Sequence, residues 1–350
     1  MHILRKRLPI LALTCALSSG AAWADSISPT SYVGSLAVGD SITIHKTVMV
    51  DTATTGSLVD IMFVFDTTGS MGGYINNAKT VATSVLNTIA ATYGSTVSGV
   101  AQYDDPGSSV LTGLSATATT QTSINSLYAC YGSCGGDAPE VGYDGIYDAV
   151  TSASWRAGSN RFIVVFGDAT FKADTHNATD TLAALTAANV DLFALNFGSG
   201  AGLSSVITGL GGTVYAGGTS ATTIADAILA GVGAGFANYS TVTVGDLNGG
   251  DPLIDVSTVC VSADTGTCVG ADAVGDYDRS VSRTFEFDVT FTRLAEGDAG
   301  FDTYALVDGA IVATETDRFT DATSVPEPAS LALVALSLIG LGSARRKQRD

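Results

Sequence analysis

The apolar run Leu58 to Phe65 (LVDIMFVF) breaks off at Asp66-Thr67-Thr68-Gly69-Ser70, and this junction constrains the fold more than any other segment. Such a run leaves no polar face for water, so it reads as a strand covered on both sides, as in a parallel sheet. After a Gly-containing turn, Tyr74 to Tyr93 reads as a helix with Ile75, Ala78, Val81, Ala82, Val85, Leu86 and Ile89 on one face. Val97 to Tyr103 and Ser109 to Leu114 read as strands separated by a turn at Asp104-Asp105-Pro106-Gly107. A helix over Val141 to Ser154 leads to a second apolar strand, Arg161 to Phe166. Thr179 to Ala188 then reads as helix, Val190 to Phe197 as strand, and Ala221 to Leu229 as helix. Strands alternating with helices predict an α/β domain over residues 56–237, a Rossmann-like, doubly wound, mainly parallel sheet.

The texture then changes. From Tyr239 to Phe319 the chain alternates with period two, as in Ser240 to Val244, Thr284 to Phe291 and Thr303 to Val307. This predicts a small all-β sandwich over residues 238–322. Residues 25–55 have the same character, above all Ser41 to Val48 (SITIHKTV). A lone segment of that kind is not stable by itself. It is expected to pair with the C-terminal strands, which would insert the α/β domain into the sandwich; the alternative is one more strand on the α/β sheet.

Both ends carry targeting patterns. Residues 1–24 hold Arg5-Lys6-Arg7, an apolar run from Leu8 to Leu17, and Ala22-Trp23-Ala24 ahead of Asp25, the three-part pattern of a secretory signal peptide. At the other end, Val325-Pro326-Glu327-Pro328 precedes an apolar stretch over residues 329–344 and the basic cluster Arg345-Arg346-Lys347-Gln348-Arg349. An uncharged helix followed by such a cluster stops in a membrane with the cluster inside. The stretch is shorter than the roughly 20 residues of a comfortable span, which suits a transient inner-membrane anchor. Pro-Glu-Pro, short helix and Arg-rich end in that order resemble the PEP-CTERM sorting signal, here residues 325–350. The resemblance implies cleavage by an exosortase and delivery to the cell envelope or the extracellular exopolysaccharide matrix; the alternative is a plain single-pass anchor.

The formal net charge is −18, and seven of the 16 Lys and Arg lie in these two end segments, so the body between them is strongly acidic. Such a body repels nucleic acid and anionic lipid. Once Cys15 leaves with the signal peptide, Cys130/Cys134 and Cys260/Cys268 remain, which in an oxidising compartment argues for two short-loop disulfides. Their spacing does not favour a four-Cys metal site.

In an open parallel sheet, ligands gather at the carboxyl ends of strands. Three segments there carry oxygen-bearing side chains: Asp66, Thr68 and Ser70 after the first strand, Gly135-Gly136-Asp137-Ala138-Pro139-Glu140 before a helix, and Gly167-Asp168-Ala169 after a later strand. Carboxylates and hydroxyls without His or thiolate suit a hard cation, Mg²⁺ or alternatively Mn²⁺ or Ca²⁺. The Asp-x-Thr-x-Ser turn resembles the metal-ion-dependent adhesion site (MIDAS) of von Willebrand factor A (VWA) domains, and Gly136 to Glu140 is similar to the acidic second loop of the integrin β-subunit version. The resemblance implies that Thr68 and Ser70 touch the metal through hydroxyls and Glu140 through its carboxylate. Asp66 and Asp168 would hold coordinated waters, leaving one position for a partner's oxygen. Thr stands at position 68 where Ser is more usual. Met71-Gly72-Gly73 lacks the acids of an adjacent regulatory cation site, so none is expected beside the first. Asp137 is a candidate for a separate cation or for loop support.

These residues predict a non-enzymatic, metal-dependent adhesion module for a protein or an acidic matrix ligand. The alternative is a structural matrix protein whose metal only stabilises the fold. A phosphotransferase using Asp66 would want a second carboxylate where Thr68 stands, and there is no Gly-x-Ser-x-Gly elbow, so an enzyme is not expected.

Overall fold

The computed structural model describes residues 25–52, 54, 56–130 and 138–322. The targeting segments, Cys134, Asp137 and the apolar stretch 329–344 expected to span a membrane lie outside the described residues. Among the described residues no helix is long and apolar enough to cross a bilayer.

Strands β1 (Ser26–Ser28), β2 (Ser31–Leu36) and β3 (Ser41–Val50) come first. The α/β unit follows as β4 (Ser57–Asp66), α1 (Gly72–Tyr93), β5 (Gly94–Asp104), β6 (Gly107–Ser115), α2 (Thr117–Ser126), α3 (Gly142–Ser152) and β7 (Asn160–Gly167). It continues with α4 (Ala178–Ala188), β8 (Asp191–Asn196), α5 (Gly202–Gly209), β9 (Thr213–Ala216) and α6 (Ala221–Ala237). Strands β10 (Asn238–Gly245), β11 (Ile254–Ser262), β12 (Thr267–Val269), β13 (Asp272–Asp278), β14 (Arg283–Arg293), β15 (Ala299–Val307) and β16 (Ala310–Asp321) complete the chain.

The α/β sheet has the order β6-β5-β4-β7-β8-β9, parallel except for the edge strand β6. Alternation along β4 divides its side chains between two cores. Ile61, Phe63 and Phe65 meet Ile75, Leu86 and Ile89 of α1 on one face. Met62 and Val64 meet Ile146 and Val150 of α3 on the other. The chain leaves β4 toward β5 and β6 and later returns to β7 on the opposite side. This reversal puts the loops after β4 and β7 side by side, at the kind of crevice where α/β sheets bind ligands.

Asp60 is the one charge in the apolar run, and the structure explains it. Its buried carboxylate accepts Arg156 Nε at 2.6 Å, Arg156 N–H at 2.8 Å and Ser159 Oγ at 2.9 Å. Asp60→Ala removes the acceptor shared by the half-buried Arg156 and the buried Ser159 hydroxyl, so it should lower unfolding free energy by about 2 kcal/mol; urea denaturation checks this.

The flanking strands form two further sheets, β1-β3-β14-β11 and β12-β13-β10-β15-β16-β2. β3 runs antiparallel to β14 from Ser41↔Thr292 to Val50↔Arg283, and β2 runs parallel to β16. N-terminal and C-terminal strands therefore share both sheets, with the α/β unit between them in sequence. Phe285, Phe287, Phe291 and Phe319 pack between the sheets with Val48 and Val242. The disulfide Cys260–Cys268, with Cα atoms 5.4 Å apart, joins β11 of one sheet to β12 of the other. Cys130 is disulfide-bonded as well.

Candidate metal centre

Asp66 ends β4, and the next residue holds the turn in place. Thr67 donates its N–H at 2.8 Å and its Oγ1 at 2.9 Å to the carbonyl of Tyr103 at the end of β5. The Thr67 carbonyl in turn accepts the Cys130 N–H at 2.8 Å. With position 67 pinned, Asp66 Oδ1 accepts Thr68 N–H at 2.9 Å and Thr68 Oγ1 at 2.6 Å, and Thr68 Oγ1 lies 3.4 Å from Ser70 Oγ. The three residues of the predicted turn are thus joined. Residues Gly69–Met71 then form a 3₁₀ turn anchored by the fully buried Met71. Gly69 takes no left-handed φ there. Helix α1 starts without a side-chain cap, so Ser70 is not spent as one.

Glu140 is brought in by backbone pairing. Its N–H donates to Thr170 O at 2.9 Å and its carbonyl accepts from Lys172 N–H at 2.7 Å, which ties this loop to the segment after Asp168. Asp66 and Glu140 are buried, Asp168 is half-buried and Ser70 is exposed. Asp66 Oδ2, Glu140 Oε2 and the Tyr103 hydroxyl are buried without a hydrogen-bond partner. Leaving such groups unmatched is costly, and they mark a place for a proton or a cation.

The electrostatics agree. Burial pushes the Asp66 carboxyl from its ordinary 3.8 up to about 7; its Thr68 bonds oppose this and the charge of Asp168 adds to it. Burial also takes Glu140 from 4.5 to about 7, with Asp66 and Asp105 adding to the rise and Lys172 opposing it. Lys172 is ion-paired with Asp105. Burial raises the Tyr103 phenol well above its usual range, and Asp66, Asp168 and Glu140 add to this. Tyr103 was not among the residues expected from the sequence, because its strand-end position alone does not set it apart from a core aromatic. Among the described residues no three His, Cys, Asp or Glu side chains form a metal cage alone. A cation held here would need the hydroxyls of Thr68 and Ser70 as further donors. Its oxygens and two orphaned carboxylate atoms fit a hard divalent cation.

The mainly parallel sheet whose central strand ends in this turn is VWA-like. Residues 60–194 match the family model of the von Willebrand factor A domain, and residues 324–347 match the PEP-CTERM protein-sorting motif. The chain thus holds a region similar to a VWA domain together with a sorting motif for export to the cell envelope or extracellular matrix, and that motif implies processing by an exosortase. No curated protein sequence matches it. Among solved structures, it is similar to a von Willebrand factor type A protein from Catenulispora acidiphila (14% identity, 88% of this chain, 74% of that one, TM-score 0.41). The SpRpn10 VWA domain is similar at 17% identity, over 49% of this chain and 94% of that one, with a TM-score of 0.39. Proximal thread matrix protein 1 from the mussel byssus is similar at 15% identity, over 55% of this chain and 47% of that one, with a TM-score of 0.41.

Proposed function

We propose that this exported protein is a non-enzymatic adhesion module that binds a protein or an acidic matrix polymer through a divalent cation. The observation that carries the reading is the pair of buried, unpartnered carboxylate oxygens, Asp66 Oδ2 and Glu140 Oε2, on adjoining loops. Mg²⁺ is the expected ion, with Mn²⁺ or Ca²⁺ as alternatives. Thr68, Ser70 and Glu140 would hold it, while Asp66 and Asp168 would orient its waters. The bound ion supplies a Lewis-acidic position for a partner's carboxylate. The acidic body limits non-specific contact with other anionic surfaces, so a cation bridge is a natural way for it to meet an acidic ligand.

Purified protein offered to the producer's extracellular matrix should be retained in millimolar Mg²⁺ and released by chelator. Retention indifferent to chelator would favour the second reading, a structural matrix protein whose ion only stabilises the α/β unit.

A further inference from the structure

Three ionisable side chains lie sealed inside the β-sandwich, far in sequence from the metal loops. Lys46 on β3 and Glu315 and Asp317 on β16 all have 0% side-chain exposure. Strand alternation dictates this: Lys46 is in phase with Val48 and Val50, and Glu315 and Asp317 are in phase with Phe319. A sandwich core has apolar alternatives at such positions, so three charges there call for an explanation.

Their geometry supplies one. Lys46 Nζ is in direct contact with Glu315 Oε2 and lies 3.8 Å from Asp317 Oδ1. The ring centroid of Phe291 is 5.1 Å from the amine, and the Phe319 ring packs beside Phe291 at a tilt of 43°. Thr303 Oγ1 donates to Asp317 Oδ2 at 2.8 Å and fixes that carboxylate. Glu315 Oε1 and Asp317 Oδ1 are buried without a hydrogen-bond partner. One amine thus faces two carboxyls that a plain ion pair leaves half-satisfied. Burial raises both carboxyls, Glu315 to about 7, against the pull of Lys46, so a shared proton is retained in the cluster.

We propose that this trio is a self-modification site that forms an isopeptide bond between Lys46 Nζ and the side-chain carbonyl carbon of Glu315, with Asp317 carrying the protons. Asp317 takes one proton from the Lys46 ammonium, and the neutral amine attacks Cδ of the protonated Glu315. The new N–C bond forms as the C–OH bond breaks. The second proton shed by nitrogen passes through Asp317 to the departing hydroxyl, which leaves as water. Ammonium, carboxylic acid and carboxylate become an amide, one water and a neutral Asp317 carboxyl, with no redox change and no cofactor. The product removes every charge from the cluster, which the dry aromatic surroundings favour. The two strands hold the reacting atoms together before reaction, the main requirement for such a condensation.

The bond would tie the two sheets together and enclose the whole α/β domain in one covalent loop. Because β16 is the last strand before the sorting motif in the sequence, load on an anchored C-terminal end would pass through this link.

Intact-mass spectrometry of the reduced wild-type protein, with its termini first established by peptide mapping, tests the proposal. The expected mass is about 18 Da below that of the sequence, one water lost. A branched peptide should join Lys46 to Glu315. Lys46→Ala and Asp317→Asn should each show the full mass. A full-mass wild type overturns the proposal whether or not the variants fold. A branch ending on Asp317, or an Asp317→Asn protein that is still fully cross-linked, overturns the assigned roles.

Discussion

Asp66→Asn should leave the fold standing and erase the protein's response to divalent cations. The amide can still accept the Thr68 N–H and hydroxyl bonds that organise the turn, while the charge that attracts a cation is gone. A ligand at about 100 times its dissociation constant stabilises the native state by about 2.7 kcal/mol. At roughly 2–4 °C per kcal/mol for a domain of this size, Mg²⁺ should raise the melting temperature of the wild type by about 5–10 °C. The variant should show no rise. Without metal at pH 8, it should melt no lower than the wild type, because it no longer buries an unpaired negative charge. Scanning calorimetry with and without Mg²⁺ separates these effects, and a wild type that ignores Mg²⁺ would contradict the site.

The second large effect is a reversal of pH dependence. Asp66 and Glu140 have folded pKa values of about 7, above their ordinary 3.8 and 4.5. A carboxyl of this kind binds its proton more tightly in the folded state. Its contribution to stability is therefore fully present below its unfolded value and is lost as the pH rises through about 7. The metal-free α/β unit should thus lose stability between pH 5 and pH 8 through these two groups. A cation needs them ionised, so the Mg²⁺-induced rise in melting temperature should be small at pH 5 and full at pH 8. Asp66→Asn should flatten both trends. A Mg²⁺ effect that is equal at the two pH values would mean that the ion binds elsewhere.

Much of this architecture was legible before any coordinates. The run Leu58 to Phe65 became the central strand, and the periodic face of Tyr74 to Tyr93 became the buried side of α1. Where the reading fell short, the cause is physical. Helix α2 is a Thr- and Ser-rich segment that buries only Thr120 and Ile124, too few positions for a visible period. The short α5 and the four-residue edge strand β9 give similarly weak patterns. Helix α6 runs to Ala237, beyond the expected stop at Leu229. Its glycines are used for close approach: a Cβ at Gly231 would lie 2.4 Å from Phe193, and one at Gly235 would lie 2.5 Å from Phe162. Glycine there signals helix-to-sheet packing and not a helix end.

Asp66, Thr68 and Ser70 could be read from the sequence as one group because a single turn carries them, and Asp168 was singled out because it directly follows a strand. Tyr103 was hidden because a Tyr at a strand end looks like any core aromatic until its hydroxyl proves to be buried and unpartnered. The inward phase of Lys46 was written in the alternation of Ser41 to Val48. Only the pairing of β3 and the placing of β16 across the core show that two acids meet it there.

The central claim is that Asp66, Thr68, Ser70, Glu140 and Asp168 form a divalent-cation site. The most direct measurement is a Mn²⁺ titration followed by electron paramagnetic resonance, in which the free-ion signal disappears as the ion binds. The wild-type protein should remove one equivalent of Mn²⁺ at pH 8, excess Mg²⁺ should return it, and Asp66→Asn should remove none. A wild type that leaves the Mn²⁺ signal untouched, or an Asp66→Asn protein that binds as well as the wild type, would contradict the account.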